Sequence, residues 1–122
     1  MPARAINKTR LLNLWLPVLL CMVAIFYFSS LPGRDIPRLF PLQDVLFHIS
    51  LYALLAYFLA RALRNTYSKL TLLKTVSLAV FFGTLYGISD EFHQLFVPER
   101  CFSAFDLFTD GIGSFIGSLL YR

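Results

Sequence analysis

"LLNLWLPVLLCMVAIFYF", Leu11 to Phe28, runs for 18 positions without an acid, a lysine or an arginine. A helix of about 20 apolar residues crosses the hydrocarbon of a bilayer, so this stretch reads as a membrane span. The basic flank before it (Arg4, Lys8, Arg10) also opens a secretory signal peptide. The run is long, contains Trp15 and Pro17, and lacks a small-x-small cleavage site, so it is read as a retained first helix.

Working outward, three further apolar stretches appear, and the chain is expected to be an all-α membrane protein. Four transmembrane helices, at about residues 11–28, 45–63, 70–94 and 103–121, would form a compact bundle within one domain spanning residues 1–122. Composition agrees. At 57% hydrophobic and 15% charged, with 13 Phe, the chain has too little polar surface to cover a water-soluble domain. The two cysteines fall one in the first span and one in a loop, too far apart to pair.

Orientation follows from short-loop Lys and Arg. Arg4, Lys8, Arg10, Arg61, Arg64, Lys69, Lys74 and Arg122 flank one side, against Arg34, Arg38 and Arg100 on the other. Both termini are therefore expected in the cytoplasm. All the acids, Asp35, Asp44, Asp90, Glu91, Glu99, Asp106 and Asp110, gather on the opposite side. The net charge of +4 thus combines a basic inner face with an acidic outer one, which points to the bilayer as partner and away from nucleic acid.

Helical spacing sorts the polar residues. Asp44, His48 and Tyr52 share a stripe on the second helix. Gly83, Gly87, Asp90 and Gln94 share one on the third, with Glu91 and His93 beside it, and Asp106, Asp110, Gly113 and Gly117 share one on the fourth. Small-xxx-small patterns let helices approach closely in lipid. Helices three and four are therefore expected to form a tight hairpin through both glycine pairs, turning at Val97-Pro98-Glu99-Arg100. If helix two docks on it, the polar groups converge at the outer leaflet. Plainer roles also fit: Asp44 as a helix N-cap, and Ser103-Ala104-Phe105-Asp106 as a capping box with Asp in the usual Glu or Gln position.

The run Asp44-Val-Leu-Phe-His48-Ile-Ser-Leu-Tyr52, then Ser89-Asp90-Glu91-Phe-His93-Gln94-Leu-Phe-Val-Pro98-Glu-Arg100, then Asp106, Asp110 and Gly113, resembles the VanZ-like family of small bacterial polytopic membrane proteins. The Ser29-Ser30 pair fits as well. The resemblance covers about residues 11–121 and implies a protein of the bacterial cytoplasmic membrane associated with low-level resistance to teicoplanin, a glycopeptide. The family's recurring polar residues fall on Asp44, His48, Tyr52, Asp90, Glu91, His93, Gln94, Arg100, Asp106 and Asp110. Val45 stands where many members carry Lys, and Glu99 where many carry Gly.

Three functions compete. In an enzyme acting on an envelope lipid or lipid-linked precursor, His48 or His93 would be the base, oriented by Asp44, Asp90 or Glu91. Asp44, Tyr52, Gln94, Arg100, Asp106 and Asp110 would bind substrate, with Arg100 suited to a phosphate or carboxylate. In a binding or shielding protein, the same acidic pocket would take a polar group of a lipid, a precursor or the glycopeptide. In a structural protein, these residues would form an internal packing network. No HExxH or CxxC spacing marks a metal centre, and no metal or other cofactor is expected.

Overall fold

The computed structural model describes residues 5–121; Arg4 and Arg122, counted among the basic flanks above, lie outside them. Four helices follow in order: α1 (Lys8–Ser29), α2 (Gln43–Thr66), α3 (Leu72–Gln94) and α4 (Ala104–Leu120), with a short 3-10 turn at Gly33–Asp35. The described residues contain no strand. α1, α2 and α3, at 22, 24 and 23 residues, are long and apolar enough to cross a membrane. The expected fourth span is shorter: α4 has 17 residues, about 26 Å at the helical rise.

α2 is the hub, packing against the other three helices, whereas α1 and α4 do not meet among the described residues. Leu14, Val18 and Ile25 of α1 pack with Leu55, Leu59 and Leu63 of α2 in the apolar core. Large hydrophobic residues are left facing outward, among them Leu19, Leu20 and Val23 on α1, Phe81, Phe82 and Leu85 on α3, and Phe108 and Phe115 on α4. In water such a surface would aggregate; in lipid it is the expected exterior.

Pro17 lies inside α1 and cannot donate to the carbonyl of Asn13, four residues before it. Arg61 of α2 takes that place, its Nη1 donating to the Asn13 carbonyl at 3.3 Å. A neighbouring helix thus satisfies the freed acceptor, as an apolar medium requires. Nearby, Trp15 Nε1 donates to Thr66 Oγ1 at 3.0 Å and Asn65 Nδ2 to the Tyr121 hydroxyl at 2.7 Å, which ties α2 to both flanking segments at the basic end.

The two glycine pairs serve different partners. Gly83 and Gly87 of α3 face Ser114 and Asp110 of α4, as the hairpin requires. Gly113 and Gly117 instead lie on α2, where an added Cβ would strike the backbone carbonyls of Ile49 and Ala53. This corrects the expectation that both pairs join α3 to α4. α4 is wedged between two helices, and its small residues face both.

At the polar end, the loop after α1 and the loop before α4 clip together: Gly33 N donates to the Pro98 carbonyl at 3.1 Å, and Arg34 pairs with Glu99 at 3.6 Å on the surface. Glu99 has φ 59, a left-handed conformation that favours glycine. The glycine of many family members at this position therefore has a backbone reason. Leu42, at φ 63, is the residue before α2, so Asp44 sits in the helix's first turn and is not its cap.

Candidate functional site

The ends of α1, α2, α3 and α4 surround a cavity of about 640 Å³ at the polar end, within the common range for small-molecule sites of about 300–1,000 Å³. Seven of the ten expected site residues line it: Asp44, His48, Tyr52, Asp90, Gln94, Arg100 and Asp106. Apolar side chains line it as well, Leu39 and Phe40 from the loop before α2 and Leu46, Phe47 and Leu51 from α2 itself.

His48 is the centre of the polar residues. Its Nδ1 stands 2.7 Å from Asp110 Oδ1, and its Nε2 stands 3.8 Å from Asp106 Oδ2. An ionised carboxylate only accepts hydrogen bonds, so the Asp110 contact places the proton of a neutral imidazole on Nδ1. Nε2 is then left as a lone pair on the cavity side. Asp110 is fully buried behind the ring. The i, i+4 spacing of Asp106 and Asp110 on α4 lets the two acids address opposite edges of one imidazole.

Glu91 is buried as deeply, at 0% exposure. Its Oε2 accepts from the backbone N–H of Ser103, the residue capping α4, at 2.9 Å. Half of the expected capping box is present: Ser103 Oγ accepts from Asp106 N at 3.2 Å. In a complete box the acid three residues on would return to the Ser103 N–H. Glu91 from α3 occupies that donor, and the Asp106 carboxylate turns to the cavity and His48.

Arg100 also works on backbone. Its Nε donates to the Leu31 carbonyl at 3.1 Å and its Nη2 to the Phe28 carbonyl at 3.3 Å. A guanidinium there adds donors to carbonyls at and just past the end of α1 and opposes the negative end of its dipole, while still bordering the cavity.

His93 is not brought to this centre. Its ring stacks on Phe26 at 4.5 Å between centroids. The Ser30 hydroxyl donates to the Phe26 carbonyl at 2.7 Å, so its oxygen receives Nε2–H of His93 at 2.9 Å. His93 therefore fastens α3 to the end of α1, and the two histidines share no ligand set. Ser103 is the site residue that sequence reasoning placed only as a cap. The Leu39–Phe40 wall gave no periodic signal, because it lies in a loop.

Four buried side-chain atoms find no partner among the described residues: Ser29 Oγ, Tyr52 OH, Glu91 Oε1 and Asp110 Oδ2. Ser29 and Tyr52 line the cavity. Native interiors satisfy nearly all such groups, and in lipid the penalty for leaving them open is larger. Two of them, on Glu91 and Asp110, belong to side chains grouped with His48.

These features define an all-helical membrane protein with a mainly apolar cavity at one end of its bundle into which several polar side chains project. The sequence model of the VanZ/LLP1 family matches residues 14–122, and the chain belongs to that family. No curated protein and no solved structure matches it.

Proposed function

We propose that this protein binds an amphiphilic lipid or lipid-linked precursor of the bacterial cell envelope and acts on its head group, with His48 as general base. The observation that carries this is an imidazole fixed by Asp110 at 2.7 Å that also borders a cavity lined by both polar and apolar side chains. The head group would meet Asp90, Gln94, Tyr52 and Asp106, and the chain would lie along Leu39, Phe40 and Phe47. The buried Tyr52 hydroxyl, which lines the cavity, would donate to a ligand oxygen. Nε2 of His48 would accept the proton of the attacking hydroxyl or water. The family's association with teicoplanin resistance accords with a change in an envelope component outside the membrane.

A purely structural role, in which the polar residues lock the bundle, is favoured by Arg100 and His93, both spent on α1. It is opposed by the unpartnered atoms around His48. Mass spectrometry of lipids and peptidoglycan precursors, with and without the protein, separates the two. The wild type is expected to shift at least one species, and His48→Ala to reduce that shift by about 100-fold or more, as for loss of a general base. Identical profiles with and without the wild type would exclude catalysis.

We further propose that α4 crosses the membrane with the other three helices, both termini cytoplasmic and the cavity at the outer leaflet. The outward Phe108, Phe115 and Leu120 of α4 and the Lys and Arg of the α2–α3 end support this. In a background where Cys21 and Cys101 are replaced, a cysteine at Glu99 is expected to react with an impermeant maleimide on intact cells. One at Lys69 should react only after permeabilisation. Labelling of both from outside refutes the topology.

A further inference from the structure

We propose that His48, Glu91 and Asp110 form a binding site for a divalent transition-metal ion, with Asp106 at the opposite edge of the His48 ring. The three residues come from α2, α3 and α4, and each offers one ligand atom within 4.8 Å of the others. Glu91 and Asp110 are both at 0% exposure, and each carries one oxygen without a partner, Oε1 and Oδ2. Buried carboxylate oxygens without a donor are costly. A dication held among these side chains would offset both buried carboxylates, which the one proton between His48 and Asp110 cannot do.

One of the three ligand spacings is close to what such an ion demands. Ligand atoms on a tetrahedral zinc-sized ion lie about 3.3 Å apart, given metal–ligand distances of about 2.0–2.1 Å. His48 Nδ1 and Asp110 Oδ1, at 2.7 Å, would open by only about half an ångström to that spacing. Glu91 is already oriented by the Ser103 N–H on its Oε2, the kind of outer contact that fixes a ligating carboxylate. One imidazole with carboxylates suits Zn²⁺, Mn²⁺ or Fe²⁺, whereas Ca²⁺ and Mg²⁺ prefer six or more oxygens. Asp106 faces the other edge of the ring, at Nε2. With His48 Nδ1 on the ion, Nε2 would carry the remaining ring proton toward Asp106, and proton acceptance at the cavity would pass to that acid. The site does not rest on the general-base role above, since with an ion on Nδ1 His48 would no longer accept the proton.

The test is metal content. Untagged full-length protein in detergent, stripped with chelator and then equilibrated with Zn²⁺ or Mn²⁺, is measured by elemental mass spectrometry and by competition with a chromophoric chelator. About one ion per chain is expected. Glu91→Gln and His48→Ala should weaken affinity by about 10- to 100-fold or more, and Glu99→Gln, on the exposed loop, should leave it unchanged. Glu91→Gln preserves side-chain shape, so its elution as a folded species keeps the comparison valid should His48→Ala misfold. A wild type that takes up less than about a tenth of an ion per chain, or folded Glu91→Gln with undiminished affinity, overturns the site. Lipid profiles are a separate readout: a chain that binds no ion yet alters a lipid removes this inference and leaves general-base chemistry standing.

Discussion

Gly117→Leu is expected to abolish folding of the bundle. Gly117 rests on the Ala53 backbone of α2, where even a first side-chain carbon would overlap the carbonyl. A flexible side chain can swing away from such a clash, but a helix backbone cannot without moving α2 bodily. Overpacking of rigid contacts costs about 1–3 kcal/mol and sometimes more, and Leu adds three carbons beyond the first. The destabilisation should reach at least about 3 kcal/mol, seen as loss of the monodisperse species in detergent. Gly111→Ala is the control within the same helix, because its nearest neighbour would be Thr84 Oγ1 at an ordinary 3.6 Å. Relative to glycine, alanine favours a helix by about 1 kcal/mol, so this variant should be at least as stable as the wild type. Equal yields of the two variants would mean that α2 and α4 do not meet at Gly117.

The second large effect concerns the His48–Asp110 pair. His48→Ala leaves the Asp110 carboxylate fully buried with neither oxygen partnered. Removing one member of a buried pair costs about 3–5 kcal/mol, mostly the penalty of the stranded charge. Asp110→Asn in the same chain removes that charge while keeping the side chain's size. The double variant should therefore be more stable than His48→Ala by about 1–3 kcal/mol, a non-additivity typical of groups in direct contact. Unfolding of the four members of the cycle in detergent measures this. Strictly additive losses would show that the two side chains do not interact.

Composition and hydropathy carried the fold class, since runs such as Leu11–Phe28 have no other stable place than lipid. Helical spacing also carried part of the site: Asp44, His48 and Tyr52 line one cavity as their stripe implies. Spacing identifies a face but not the neighbour it meets. Gly113 and Gly117 looked like the counterparts of Gly83 and Gly87, yet they contact α2. His93, in the most polar run of the chain, looked equivalent to His48 and instead turns to Ser30 and Phe26. Which acid holds the imidazole was equally hidden. Asp110 lies 62 positions from His48, and only the wedging of α4 against α2 brings them together. The left-handed backbone at Glu99 was invisible in this sequence, because no glycine marks it.

The bond between Glu91 and the Ser103 N–H has a consequence for charge in the cavity. Two acids compete for that one backbone hydrogen: Glu91 from the neighbouring helix and Asp106 from three residues along. While Glu91 holds it, Asp106 is free to face His48. Were Glu91 shortened or drawn away, the vacant donor would recruit Asp106 into the ordinary local box, and the cavity would lose a carboxylate through a substitution on a different helix. The number of negative charges beside the imidazole is therefore decided by how firmly α3 seats against the start of α4.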